Sequence, residues 1–337
     1  MNRGSTTTVG FGLLILLVAS VVLAVTFGPA DIAATEVWQT IGYHFGLVAE
    51  SPVSRLRGAI IWELRLPRVL TAAAVGAGLA LCGAVMQALT RNPLADPYLL
   101  GLSAGASFGA VSFLLAGAAL LMPVGAFLGA GAAMVLTLLV THLLGGATPT
   151  RAILAGISIS ALAAAATSFL IFWSATGDSY REILSWLMGS LGGVVWSDAL
   201  LALGALALAA PAILLSGRSL DAFAFGDTAA ATLGVDVSRL RWLLLGGTAL
   251  LTGILVSVSG AIGFVGLIVP HLVRLMTGSR HRLLLPVAML LGASFMIWTD
   301  TAARSAFAPR ELPVGIITAL LGAPIFLAVL LRYRRIT

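Results

Sequence analysis

The chain has 337 residues, 59% of them apolar and only 9% charged, with 19 basic against 13 acidic side chains and a net charge of +6. Soluble domains carry about a quarter charged residues, so this composition excludes a pair of water-soluble domains and calls for lipid as the solvent. Every basic residue is arginine and the one cysteine is Cys82, which excludes a lysine-bearing phosphate loop, Schiff-base chemistry and a multi-thiolate metal site within the chain.

Uncharged runs near the ~20 residues that cross a bilayer fall at 11–28, 69–89, 99–121, 123–145, 152–174, 199–216, 242–258 and 314–331. Two compressed runs, 261–273 with Pro270 and 284–299 beside Pro286, bring the expected helices to ten. The first run exceeds a usual signal-peptide core and lacks a small-residue cleavage site, so it is read as a span. The fold expected is an all-α integral membrane protein, a single transmembrane domain over 1–337. Placing both termini in the cytoplasm puts twelve arginines inside and seven outside, the asymmetry that orients membrane proteins. The high positive charge is thereby a matter of orientation, and no basic patch interleaved with aromatics points to nucleic acid.

Four segments lie outside the runs. Residues 30–67 form a long outer loop ending in the mixed-charge RLRGAIIWELRLPR, and TRNPLADP (90–97) is a stiff inner turn with two prolines. GDSYREILSWLMGSLGG, within 176–196, reads as a short surface helix or a plain connector. The inner stretch 217–241 is too polar to span and too long for a tight turn. It reads as a docking platform of two short helices, with a solvated loop as the competing reading. Glycines at spacing four, Gly101, Gly105 and Gly109 and again Gly125 and Gly129, mark close helix packing.

No Asp, Glu or Arg falls inside the ten runs, which disfavours an ion-coupled carrier. Asp300 and Arg304 stand four apart at the outer end of the ninth run, where a helical ion pair is the structural explanation. GLSAG (101–105) matches G-x-S-x-G and makes Ser103, with His142 or His271, the nucleophile of a hypothetical intramembrane hydrolase. That motif needs a strand-to-helix turn, whereas this stretch reads as helix. The histidines at 44, 142, 271 and 281 show no ligand spacing, so no metal site is assigned.

Seven ordered blocks then resemble a known family: LRLPRVL (64–70), GAVMQALTRNPLADPYLLGLSAGAS (83–107), LAGISIS (154–160), WLMGSLGG (186–193), FGDTAAATLGV (225–235), SGAIGFVGLIVPHLVR (259–274) and ELPVGIITALLGAP (311–324). They are similar to the permease subunits of type II ABC importers for vitamin B12, haem and ferric siderophores. The resemblance implies ten helices and a homodimer in the bacterial inner membrane. It also implies two separate ATPase subunits that hold ATP and magnesium, so this chain has no catalytic residue or cofactor, and a periplasmic or lipid-anchored binding protein. Arg65, Arg68 and Arg304 match arginines that receive acids of the binding protein. Gly226, Asp227, Thr228, Ala229, Ala230, Leu233 and Gly234, within 217–241, match helices that couple to the ATPase. Asn92 and Leu94, with Thr148 and Thr150, match cytoplasmic gates. Haem stands first as substrate, a ferric siderophore second and cobalamin third.

Overall fold

The computed structural model describes residues 3–28, 32–48, 53–145, 148–307 and 310–333, and every regular element among them is helical. Six helices are long and apolar enough to cross a bilayer, and four shorter apolar helices occupy the remaining runs. With the short helices between them, the α-helices of the described residues are in order α1 (Arg3–Thr26), α2 (Ala34–His44), α3 (Arg55–Ala59), α4 (Leu66–Thr90), α5 (Leu102–Leu115), α6 (Met122–Leu143), α7 (Pro149–Ser174), α8 (Gly177–Leu187), α9 (Trp196–Leu215), α10 (Gly217–Phe223), α11 (Asp227–Thr232), α12 (Val237–Ser259), α13 (Val265–Thr277), α14 (His281–Ser305) and α15 (Val314–Tyr333). Helices α2, α3 and α8 lie at one end of the bundle, and α10 and α11 at the other.

The sequence of α4, LPRVLTAAAVGAGLALCGAVMQALT, is apolar around its whole circumference, and such a helix is buried on all sides. It is the central post, packed against α9, α12, α13 and α14. The run does not start at residue 69 as the hydropathy pattern implies. Helix α3 and a π-helical turn, Ile60–Arg65, feed into α4 without a break. Pro67 has no N–H and its ring would strike the carbonyl four residues back in an α-helix. The wider π turn relieves this, with the Leu66 N–H donating to Ile61 five residues back. Most of 53–65 is therefore helix, while 30, 31 and 49–52 of the expected outer loop lie outside the described residues.

Small residues set the closest crossings. A Cβ on Gly109 would collide with the Gly125 carbonyl, and one on Gly105 with Gly129, so the glycines at spacing four bring α5 against α6 within this chain. Helix α8 is the surface helix expected within 176–196, with Ser179 Oγ accepting from the Thr176 N–H at 2.9 Å.

The helix pair α12 and α13 is interrupted by residues 260–264, and irregular backbone inside a membrane must find partners within the protein. Tyr98, from the one-turn helix Pro97–Leu100, supplies them for Ile262. Its hydroxyl donates to the Ile262 carbonyl at 2.9 Å and accepts from the Ile262 N–H at 3.2 Å. Pro270 removes the donor that would serve the Gly266 carbonyl. Gln87 Nε2 donates there at 3.4 Å and to Leu267 at 3.0 Å, and Arg274 Nη2 donates to Gln87 Oε1 at 3.0 Å.

Candidate functional site

At the α10 end, residues 217–241 fold as the two short helices α10 and α11 and the first turn of α12. Gly226 precedes α11 at φ 98° and Gly234 follows it at φ 83°, both in backbone regions that favour glycine. Asp227 Oδ1 is the anchor. It accepts from Arg241 Nη2 at 2.8 Å and from Arg91 Nη2 at 3.4 Å, joining α11 to α12 and to the end of α4. Ala230 is buried against that support, while Thr228 and Gly234 are exposed and Ala229 is half-buried. The platform presents two bare apolar side chains, Phe225 at 78% and Leu233 at 69% exposure.

Three supporting residues escaped the sequence reading. Arg241 lies over the Phe223 ring, 5.3 Å from its centroid. Asp221 Oδ1 accepts from the His281 N–H at 2.8 Å and contacts its Nδ1 at 2.7 Å, locking α10 to the start of α14. Each lies in a polar stretch of the sequence, where no spacing distinguishes it from its solvated neighbours.

The hydrogen bond from Arg241, then its charge and that of Arg91, hold the Asp227 carboxyl below its usual 3.8. A depressed carboxylate contributes stability above its unfolded value that is lost as pH falls through its folded value. The platform should therefore hold from neutral pH down to about 4 and loosen only below that. Asp227→Asn should speed amide exchange in 227–233 at neutral pH while leaving the global unfolding free energy within ~1 kcal/mol of the parent, since this pair is partly exposed. Unchanged exchange in that segment would contradict the anchoring role.

The four gate candidates lie at this same end. Asn92 Oδ1 accepts from the Leu94 N–H at 2.9 Å, stiffening the turn after α4, and Leu94 is exposed. Thr148 is the N-cap of α7, accepting from Arg151 N–H at 3.5 Å, and it lines a small void with Thr90 and Leu99. Thr150 is exposed in the first turn of α7. The two loops thus meet beside the end of α4.

At the α2 end, Arg65, Arg68 and Arg304 are buried, with exposures of 5, 8 and 4%. Arg65 Nη1 donates to the carbonyls of Val25 at 2.8 Å and Thr26 at 2.9 Å, and Arg304 Nη2 to that of Ala24 at 2.5 Å. Both arginines thus satisfy the open carbonyls at the C-terminus of α1, where cations also complement the helix dipole. Arg68 grips Asp300 through Nε and Nη2 at 3.0–3.1 Å and reaches Glu311 with Nη1 at 2.7 Å. Two expectations are corrected here. The helices continue past the uncharged runs, so Arg68, Asp300 and Arg304 lie within α4 and α14. The principal partner of Asp300 is Arg68, since Arg304 Nε stands 3.9 Å away. The exposed arginines of this end are Arg55, Arg57, Arg181 and Arg310.

Ser103 stands in the first turn of α5, with no strand before it, and no hydrogen bond joins it to a histidine among the described residues. The strained elbow that would activate a serine is missing.

A many-helix bundle with a broken helix pair at its heart and a short-helix platform at one end defines a multi-pass membrane permease. The chain belongs to the FecCD transport family, whose model matches residues 15–332. It is 42% identical to the vitamin B12 import system permease protein BtuC of Vibrio cholerae, over 83% of this chain and 85% of that one. It is 44% identical to the hemin transport system permease protein HmuU of Yersinia pestis, over 81% of this chain and 84% of that one. Among solved structures it is similar to a metal-chelate type ABC transporter in an inward-facing conformation. That match has a TM-score of 0.85 and 33% identity, and covers 97% of this chain and 99% of the other.

Proposed function

We propose that this permease imports haem or a related iron chelate by alternating access, as one of two copies joined to two ATPase subunits and loaded by a separate binding protein. The observation that carries the proposal is the exposure of Phe225 and Leu233 on the short helices of 217–241, apolar tips that would seat in a groove of a separate ATPase. ATP and magnesium belong to that partner. Movement of the platform would reach the turn at Asn92 and Leu94 and the start of α7 at Thr148 and Thr150, parting them as gates. The cytoplasm lies at the α10 end in this proposal, with both termini on that side of the bacterial inner membrane.

Support for a path between two copies comes from α7, which leaves much of its length uncovered yet carries no charge beyond Arg151. Two of its hydroxyls are turned back on their own backbone, Ser158 to Leu154 at 2.9 Å and Thr167 to Ala163 at 2.8 Å. A wall of this kind offers a bulky chelate few strong contacts and lets it leave. Of the three arginines proposed for docking, Arg68 has a route to the surface through Glu311, whose side chain is 46% exposed. Arg310, its exposed neighbour, would meet the acids of the binding protein first.

Haem is placed before cobalamin on the sequence blocks, and the hemin and B12 permeases are within two points of each other in identity, 44% and 42%. The deciding experiment is uptake into liposomes by this chain reconstituted with its ATPase and binding protein, offered haem, a ferric siderophore and cobalamin in turn. ATP-dependent uptake of haem alone is the expected result, and uptake of cobalamin alone overturns the substrate. Leu233→Asp, at an exposed position, should abolish ATPase capture without changing the folded yield. An ATPase that still binds this variant contradicts the platform assignment.

A further inference from the structure

One long face of α1 has no cover among the described residues. Leu14, Ile15, Val18, Ala19, Val22 and Leu23 recur at spacing four and form one winding stripe, and with Trp38 of α2 they line an apolar groove of about 540 Å3. The same stripe continues to Thr26 and Phe27, which line a second cavity of about 540 Å3 at the helix end. The second cavity is polar. Into it come Glu36 of α2 and Arg57 of α3, joined by a 2.6 Å bond from Arg57 Nη1 to Glu36 Oε1.

The two chambers have the proportions of one leaflet. At 1.5 Å per residue the apolar stripe from 14 to 23 is about 14 Å long, close to half of the ~30 Å hydrocarbon core. The charged pair stands just beyond it, at the depth of the head groups. The Ala33 N–H, donating to Glu36 Oε2 at 2.9 Å, and then Arg57 hold the Glu36 carboxyl below its usual value, so both members of the pair are ionised at neutral pH. Arg57 is half-exposed and spends one nitrogen on Glu36, which leaves donors of its fork for a second anion. Glu36 offers negative charge beside it for a cation.

We infer that this groove is a binding site for a single phosphatidylethanolamine molecule, with an acyl chain along the α1 stripe, its phosphate on Arg57 and its ammonium beside Glu36. Trp38 flanks the glycerol level, where indole rings favour the membrane interface. An apolar helix of a second protein would fill the stripe but bring nothing to the charged pair. A phospholipid is apolar over one leaflet and dipolar at its end, as the two chambers are.

The test is native mass spectrometry of the full chain, delipidated in detergent and titrated with palmitoyl-oleoyl phosphatidylethanolamine, phosphatidylglycerol or phosphatidylcholine. One ethanolamine lipid should be retained about five-fold more than the choline lipid, the scale of one exposed charged contact. Glu36→Gln should reduce retention of the ethanolamine lipid to the choline level and erase its advantage over the glycerol lipid, while Arg57→Gln, which removes the phosphate contact common to all three, should lower the retention of each. Val18→Trp fills the groove without touching the pair and should expel the lipid. Arg55→Gln, outside both cavities, should change nothing. Equal retention of the three lipids, or retention unaffected by both Arg57→Gln and Val18→Trp, overturns the site. So does a photo-crosslinker at Ile15 that captures a protein instead of a lipid.

Discussion

Replacing Asp300 with alanine should cost the folded protein about 3–5 kcal/mol, the penalty for leaving a buried charge without its partner. Asp300 is 1% exposed, and its carboxylate takes three hydrogen bonds from Arg68. Its removal leaves Arg68 beside Arg304, two cations in a low-dielectric region, and Glu311 alone cannot hold both. The consequence should spread beyond the pair. Arg304 also caps α1 through the Ala24 carbonyl, so a displaced Arg304 loosens the α1–α14 contact. Replacing both members of the pair, Arg68→Met with Asp300→Leu, should recover much of the loss, because apolar residues of similar volume need no counter-charge. Glu311→Gln should cost no more than ~1 kcal/mol, since that carboxylate is nearly half-exposed and screened. Denaturant unfolding in detergent, followed by tryptophan fluorescence, orders the three variants against the parent. An Asp300→Ala protein as stable as the parent would show that the network carries no weight.

This network also shows where the sequence is readable and where it is not. The ten apolar runs, the surface helix α8 and the polar platform are local features, and periodicity and composition place them to within a few residues. The partners of Arg68 are 232 and 243 residues away, and no spacing rule connects them. Scanning for uncharged runs ends a helix at the first arginine, whereas α4 and α14 continue through theirs because the charges are paired inside the bundle. Pro67 is a second instance. Proline reads as a helix boundary, yet the π turn at Ile60–Arg65 carries the helix through it. The broken segment 260–264 reads in the sequence as part of one short span, since the partner of Ile262 is Tyr98, which sequence alone cannot bring there. Family resemblance implies docking roles for Arg65 and Arg304, and the α1 carbonyls they also hold are partners that no local pattern reveals.

Glycine is the other residue whose meaning depends on what lies across from it. Gly83 and Gly131 both sit inside apolar helices and look alike in the sequence. A Cβ at Gly131 meets nothing within 4 Å, so Gly131→Ala should be neutral or slightly stabilising through helix propensity. A Cβ at Gly83 would strike the Gly266 backbone, including its Cα at 2.7 Å, and backbone atoms cannot step aside as a side-chain tip can. Gly83→Ala should therefore push α13 from α4 and cost about 1–3 kcal/mol. The displacement has a specific target. Gln87 lies one turn further along α4 and makes a 3.0 Å bond to the Leu267 carbonyl, beside the Gly266 carbonyl that Pro270 leaves without its helical donor. Moving α13 stretches that bond, so amide exchange should rise in 265–268 of the alanine variant before the rest of the helix responds. Gly83→Val, with two more carbons against the same backbone, should fail to yield folded protein. Equal melting temperatures for Gly83→Ala and Gly131→Ala would mean that α13 does not pack on α4 as described, and the arrangement of the broken helix pair would have to be redrawn.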